Sequence, residues 1–182
     1  MYFARPGREN TDRTLELAAA RARELGIEEA VLATSKGDTA IRAAEILKGM
    51  RIVAVTYHCG YKEPFKHVLT DDLRRRLQAE GLTVVTASHA LSGIERSVAA
   101  KHSGVYPQLL IADSLRLFGQ GTKVAVEIAV MAADAGALSG KDIVSIGGSG
   151  RGADTALVLK PAHQNSFFEL RIREVICKPR DF

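Results

Sequence analysis

The sequence predicts an α/β fold, a three-layer α/β/α sandwich around a mostly parallel sheet. Hydrophobic period switches several times between a helical spacing and short apolar runs. Those runs are continuous and rich in Val, Ile, Leu and Ala, as in strands covered on both faces. Runs and amphipathic stretches alternate along most of the chain, the pattern that builds parallel sheets. The 182 residues are read as a single domain over 1–182, because no linker, low-complexity segment or repeat divides them.

The elements follow in order. After Tyr2-Phe3-Ala4 and a Pro6-Gly7 turn, Asn10 or Thr11 can cap a helix whose buried stripe is Leu15, Ala18, Ala22 and Leu25, stopped by Gly26. Residues 30–33 form a first strand, and a polar loop leads from it into a helix over 39–48, closed by Gly49. A second strand at 52–55 precedes a loop with His58, Cys59 and Gly60, then a helix over 70–80 with Leu73 and Leu77 facing in. Val84-Val85 marks a third strand, followed by helical stretches near 93–102 and 108–118. Gly119-Gln120-Gly121 opens a long helix over 122–135, striped by Val124, Ile128, Met131 and Ala135. A fourth strand at 143–146 runs into a glycine-rich loop. The tail is strand-like at 157–159 and 170–177, and residues 170–173 alternate as a half-exposed edge does.

Composition narrows the function. The chain is 46% hydrophobic and 25% charged, which excludes disorder. Aromatics are 5% with no Trp, which argues against base-stacking sheets that bind single strands. The net charge of +4 is spread along the chain. Its basic triplet, Arg74-Arg75-Arg76, follows Asp71-Asp72 and reads as a solvated helix face, so no nucleic acid is expected. The longest apolar stretch, 124–138, contains Glu127 and Asp134, so no membrane span is expected. Without a signal-peptide core after Met1, the expected compartment is the cytoplasm, with Cys59 and Cys177 free. No Cys or His spacing suits a metal.

In open α/β sheets, ligands bind beyond the carboxyl ends of the strands where strand order reverses. The loops there include 34–39, 56–60 and 147–154, and the helix starts at 5–11 and 119–123 reach the same rim. The first loop is the sharpest feature. Thr34, Ser35, Lys36, Gly37, Asp38 and Thr39 combine hydroxyls, a cation, a glycine and a helix start, which suits a phosphate. Asp38 as a simple helix cap is the alternative. The spacing is not that of a Walker loop. Gly148, Ser149, Gly150, Arg151 and Gly152 offer either a flexible turn or a phosphate or ring contact, with Arg151 as charge partner. No dinucleotide fingerprint follows, since a suitably spaced acidic residue is missing. Gly121, Thr122 and Lys123 read equally as helix initiation or ligand contact. Thr56 and His58 lie in the second rim loop, and His58 beside Cys59 is a candidate catalytic pair. Glu95 and Glu127 read as solvated or ion-paired.

Residues 30–39 and 52–56 resemble the C-terminal domain of pyruvate kinase, whose Thr/Ser-Gly-x-Ser/Thr loop holds a sugar phosphate in allosteric forms; Thr34, Ser35, Gly37 and Thr39 match that loop. A fuller resemblance is to stand-alone pyruvate-kinase-C-terminal-domain-like proteins, mainly archaeal and bacterial. It rests on Pro6-Gly7-Arg8-Glu9-Asn10-Thr11, Gly37-Asp38-Thr39-Ala40, Val55-Thr56-Tyr57-His58, Leu91-Ser92-Gly93 with Glu95-Arg96-Ser97, and Arg151-Gly152-Ala153-Asp154-Thr155-Ala156. The resemblance implies about five strands in the order 3-2-1-4-5, the last antiparallel, plus a C-terminal strand. It implies flavin mononucleotide (FMN) as ligand, and subunit contacts in the related kinase domain make a homo-oligomer one option. No pyruvate kinase activity is expected, because the barrel and lid residues that bind metal and phosphoenolpyruvate have no counterpart here. The expected function is binding of a phosphorylated small molecule, with a small flavin-dependent oxidoreductase or an assembly and regulatory protein as alternatives.

Overall fold

The computed structural model describes residues 1–150 and 152–182. Its strands are β1 (Tyr2–Phe3), β2 (Glu29–Ala33), β3 (Arg51–Thr56), β4 (Thr83–Thr86), β5 (Ile143–Gly147), β6 (Thr155–Lys160) and β7 (Arg171–Pro179). Its α-helices are α1 (Thr11–Leu25), α2 (Asp38–Ile46), α3 (Asp71–Ala79), α4 (Glu95–Lys101), α5 (Pro107–Arg116) and α6 (Gln120–Asp134). The strands form one sheet in the order β1-β7-β6-β5-β2-β3-β4. Pairs β2–β3, β2–β5 and β3–β4 are parallel; β5–β6 and β6–β7 are antiparallel.

The run β4-β3-β2-β5-β6 is the expected 3-2-1-4-5 order, with its last strand antiparallel. Two additions bring the count to seven. β7 joins β6 as the expected C-terminal strand, and β1 then pairs with β7 in parallel, Tyr2 against Lys178 and Phe3 against Pro179. Two residues are too short a strand to show a period. The half-exposed alternation expected at the start of β7 is also absent: Arg171, Ile172 and Arg173 are all exposed, because β1 reaches only the far end of this strand.

Successive residues of a strand face opposite ways, and this sorts the core into two layers. Ala30, Leu32, Ile52, Ala54, Val144 and Ile146 pack with α1, α2 and α3 through Leu15, Ala18, Ala43 and Leu77. Val31, Val53, Val55 and Ile143 pack with α6 through Ala125, Ile128, Ala129 and Ala132. The small alanines let the helices sit close to the sheet. Leu25, expected in the buried stripe, is 45% exposed, because it lies at the stripe's margin in the last turn before Gly26 turns the chain away. Ala135 is likewise exposed, since α6 ends at Asp134. The rest of α6 is buried nearly all round, with α5 packed on it away from the sheet. Among the described residues no helix is long and apolar enough to cross a membrane.

β2 sits between β3 and β5, so strand order reverses at β2, where α2 leaves toward one side and β5 lies on the other. The crevice at the carboxyl ends of β2 and β5 is therefore where a ligand fits.

Candidate functional site

Two adjoining chambers of about 340 and 630 Å3 open at that crevice. They share Thr34, Ser35, Thr39, Tyr57, Gly150 and Gly152 as a common wall. The smaller chamber has an apolar floor of Ala33, Val55, Val124, Ile128 and Met131, edged by Gln120, His89 and Glu127. The larger is polar, with Arg8, Lys36, Arg42 and Lys62 on its walls. Both volumes fall in the range of small-molecule sites.

The wall between them is built by the β2–α2 loop. Thr34 donates its N–H to Val55 O at 2.9 Å, which fixes the loop to β3, and its Oγ1 accepts from Gly37 N at 3.1 Å. Gly37 then holds φ +100° and starts α2 with no side chain capping it. The first helical hydrogen bond to reach back is Ile41 N to Gly37 O at 3.0 Å, so the amides of Asp38, Thr39 and Ala40 lack a helical acceptor. Asp38 caps nothing; the helix start is left open to an anion. Thr34, Thr39 and Thr56 put buried hydroxyls beside it, and Thr56 Oγ1 donates to Ser35 O at 3.4 Å. Gly37 also has a packing task. A Cβ there would run into Leu73 Cδ2, with Leu73 Cγ at 3.0 Å and Leu69 Cδ1 at 3.3 Å, so the glycine lets the segment around α3 pack against this loop.

Hydrogen bonds anchor both ends of the glycine-rich loop after β5. Asp154 accepts from Ser149 N at 3.2 Å and from Thr155 Oγ1 at 2.9 Å, while its own N–H reaches Gly147 O at 3.1 Å. Thr11 Oγ1 accepts from Ala153 N at 3.1 Å and donates to Arg8 O at 2.7 Å, tying the loop to the start of α1. A Cβ on Gly152 would lie 2.8 Å from Arg8 Cα, which makes this glycine obligatory for that contact. Gly148, Ser149, Gly150 and Gly152 all line the smaller chamber. Ser149 Oγ is buried there without a hydrogen-bond partner among the described residues. Arg151 lies outside the described residues.

Charge is unevenly distributed. Arg42 is taken up by Asp12, at 2.8 and 2.9 Å, and by Glu45, and the bond to Arg42 holds the Asp12 carboxyl below its usual range. Arg8, Lys36 and Lys62 have no carboxylate partner among the described residues, so the larger chamber keeps a net attraction for anions.

Several expected residues fall elsewhere. Gly121, Thr122 and Lys123 line neither chamber. A Cβ on Gly121 would collide with Thr155 and lie 2.8 Å from Asp154 Oδ1, so this glycine lets α6 close on β6. Thr122 Oγ1 donates to Phe118 O at 3.1 Å, and Lys123 is buried in an ion pair with Glu127. The helix-initiation reading describes their contacts. His58 is turned back on its own loop, Nδ1 at 2.7 Å from Cys59 O, and Cys59 is exposed; neither lines a chamber. Both cysteines are free, and burial pushes the Cys177 thiol up.

Sequence reasoning did not single out His89, Tyr57, Gln120, Glu127, Arg8 or Lys62 as site residues, and His89 is the clearest case. It sits in the loop after β4, on the wall of the smaller chamber, in a cluster with Tyr57 (5.7 Å between centroids), Tyr61 and His58. Tyr57 and Tyr61 stack at 4.1 Å. The signal existed: the rule that singled out the loops after the other parallel strands applies equally to the one after β4. Burial lowers the His89 pKa, outweighing the pull of Glu127, so the ring is neutral near pH 7. Lys123 is also lowered by burial, against the opposing effect of Glu127.

Comparison with known proteins bears on the fold. A family model described as "Pyruvate kinase, alpha/beta domain" matches residues 12–159. Two solved pyruvate kinases of Cryptosporidium parvum are similar at 14% and 13% identity over 74% and 75% of this chain, with TM-scores of 0.38 and 0.34. The chain spans 20% of the length of each.

Proposed function

The chain belongs to the family of the pyruvate kinase α/β domain, and from that premise we propose that it binds a phosphorylated small molecule, with FMN as the ligand. The observation that carries this is the joining of an uncapped helix start to a cationic chamber on one side and an apolar chamber on the other. The amides of Asp38, Thr39 and Ala40, the Thr39 hydroxyl and the unpaired Lys36 and Arg8 are suited to a phosphate. The apolar floor and the Tyr57–His89 wall of the smaller chamber are suited to a flat ring. The two lie across one shared wall, which matches a ligand with a phosphate at one end and a ring system at the other. Bound flavin would supply redox chemistry; the residues of this chain position it and exclude water from its ring. The oxidoreductase alternative loses its thiol, because Cys59 faces solvent away from both chambers.

The test is calorimetric titration with FMN and with riboflavin. FMN should bind more tightly. A hydrogen bond to a charged group contributes about 1.5–3 kcal/mol, so Thr39→Ala should weaken FMN by roughly 10- to 150-fold and leave riboflavin nearly unchanged. Equal affinity for both flavins in the wild-type protein would remove the phosphate from this loop.

A further inference from the structure

We propose that the smaller chamber reads an imide edge on the ligand's ring, an N–H flanked by two carbonyls, with Glu127 accepting from the N–H. The inference rests on the flavin reading above and names what that site recognises. Glu127 is 2% exposed and lines a chamber whose floor is otherwise apolar. Two donors satisfy the carboxylate: Lys123 Nζ on one oxygen and Leu91 N, at 3.0 Å, on the other. Those bonds use two of about four acceptor positions on a carboxylate. The remaining capacity is available to a donor on a ligand.

Donors line the same chamber. Gln120 is one, and its Oε1 accepts from Arg116 Nε at 2.8 Å, which leaves its NH2 without an acceptor among the described residues. His89, neutral because of its burial, keeps one ring N–H. One acceptor and two donors on one chamber wall are the groups that a carbonyl, N–H, carbonyl edge calls for. A buried ion pair is also a poor choice for stability alone, since apolar residues of similar volume do as well or better. Its place on the chamber wall gives it a use that packing does not.

The probe is FMN methylated at the imide nitrogen, N3. Wild-type protein should bind FMN about 10- to 150-fold more tightly than the N3-methyl compound, the range for a hydrogen bond to a charged acceptor. Glu127→Gln leaves Lys123 buried without its partner, so the informative variant is Lys123→Met with Glu127→Gln, which keeps an acceptor for Leu91 N. It should cut the N3-methyl discrimination to a few-fold while preserving the preference for FMN over riboflavin. Equal binding of FMN and its N3-methyl form by the wild type overturns the imide reading and leaves the phosphate reading standing. Full discrimination retained in the double variant overturns the role of Glu127. Strong N3 discrimination without a preference for FMN over riboflavin supports the imide site and sinks the phosphate anchor. No binding of any of the three compounds by the folded protein sinks both.

Discussion

Gly37 carries a packing constraint that its place in the loop does not announce. Its φ of +100° costs an alanine roughly 1–2 kcal/mol, and the added Cβ would press on the Leu73 side chain. Gly37→Ala should therefore lower stability by about 1–3 kcal/mol, read as a drop in the urea midpoint with an unchanged slope. An unchanged midpoint would mean that the loop relaxes freely and that α3 does not constrain it. The density of hydroxyls and the lysine between Thr34 and Thr39 was legible because donors at a helix start have one ready use. The direction of a missing Cβ was not, because it depends on α3, thirty or so residues onward, reaching back over the loop. His89 has only one signal in the sequence, its place in the loop after β4; nothing in its neighbours distinguishes it.

At the scale of elements, the parallel strands were readable from their unbroken apolar runs, and their order came with the family resemblance. β1 was beyond reach, because its pairing is specified by β7 at the other end of the chain. The burial of α6 all round was also hidden, since the sequence marks its sheet-facing stripe while α5 supplies the second cover. One coupling between elements can be tested directly. Thr11 Oγ1 joins the start of α1, through Arg8 O, to the glycine-rich loop, through Ala153 N, beside a longer bond from Thr14 Oγ1 to Ala153 O at 3.4 Å. Thr11→Val keeps the shape and removes both bonds, leaving a part-buried N–H without its acceptor, at a cost of about 1–3 kcal/mol. Hydrogen exchange at the Ala153 amide should quicken by roughly 5- to 150-fold, with the amides of β2 and β3 slowed or quickened far less. Uniform acceleration across the sheet would show that the bond contributes to global stability and not to holding this loop.

Over the whole molecule, the question is what a charged pair does inside a sandwich whose core is mainly aliphatic. Lys123 and Glu127 stand one turn apart on α6, with side chains 7% and 3% exposed, and Glu127 lines the smaller chamber. Burial pulls the Lys123 pKa down, while the hydrogen bond and the charge of Glu127 act in the opposite direction. Removing one partner strands the other. Lys123→Met alone leaves a carboxylate with only Leu91 N to satisfy it, and should cost about 3–5 kcal/mol. Lys123→Met with Glu127→Gln removes both charges and keeps the acceptor that Leu91 needs; it should recover most of that loss and come within about 1 kcal/mol of the wild type. Urea unfolding of the four members of this cycle measures the coupling. The sign of the result separates two designs. If the neutral pair is as stable as the charged one, the fold does not require the charge, and its retention points to the chamber it lines. If the double variant is as unstable as the single, the pair is a structural support of α6, and the carboxylate's place on the chamber wall is incidental to what the protein binds.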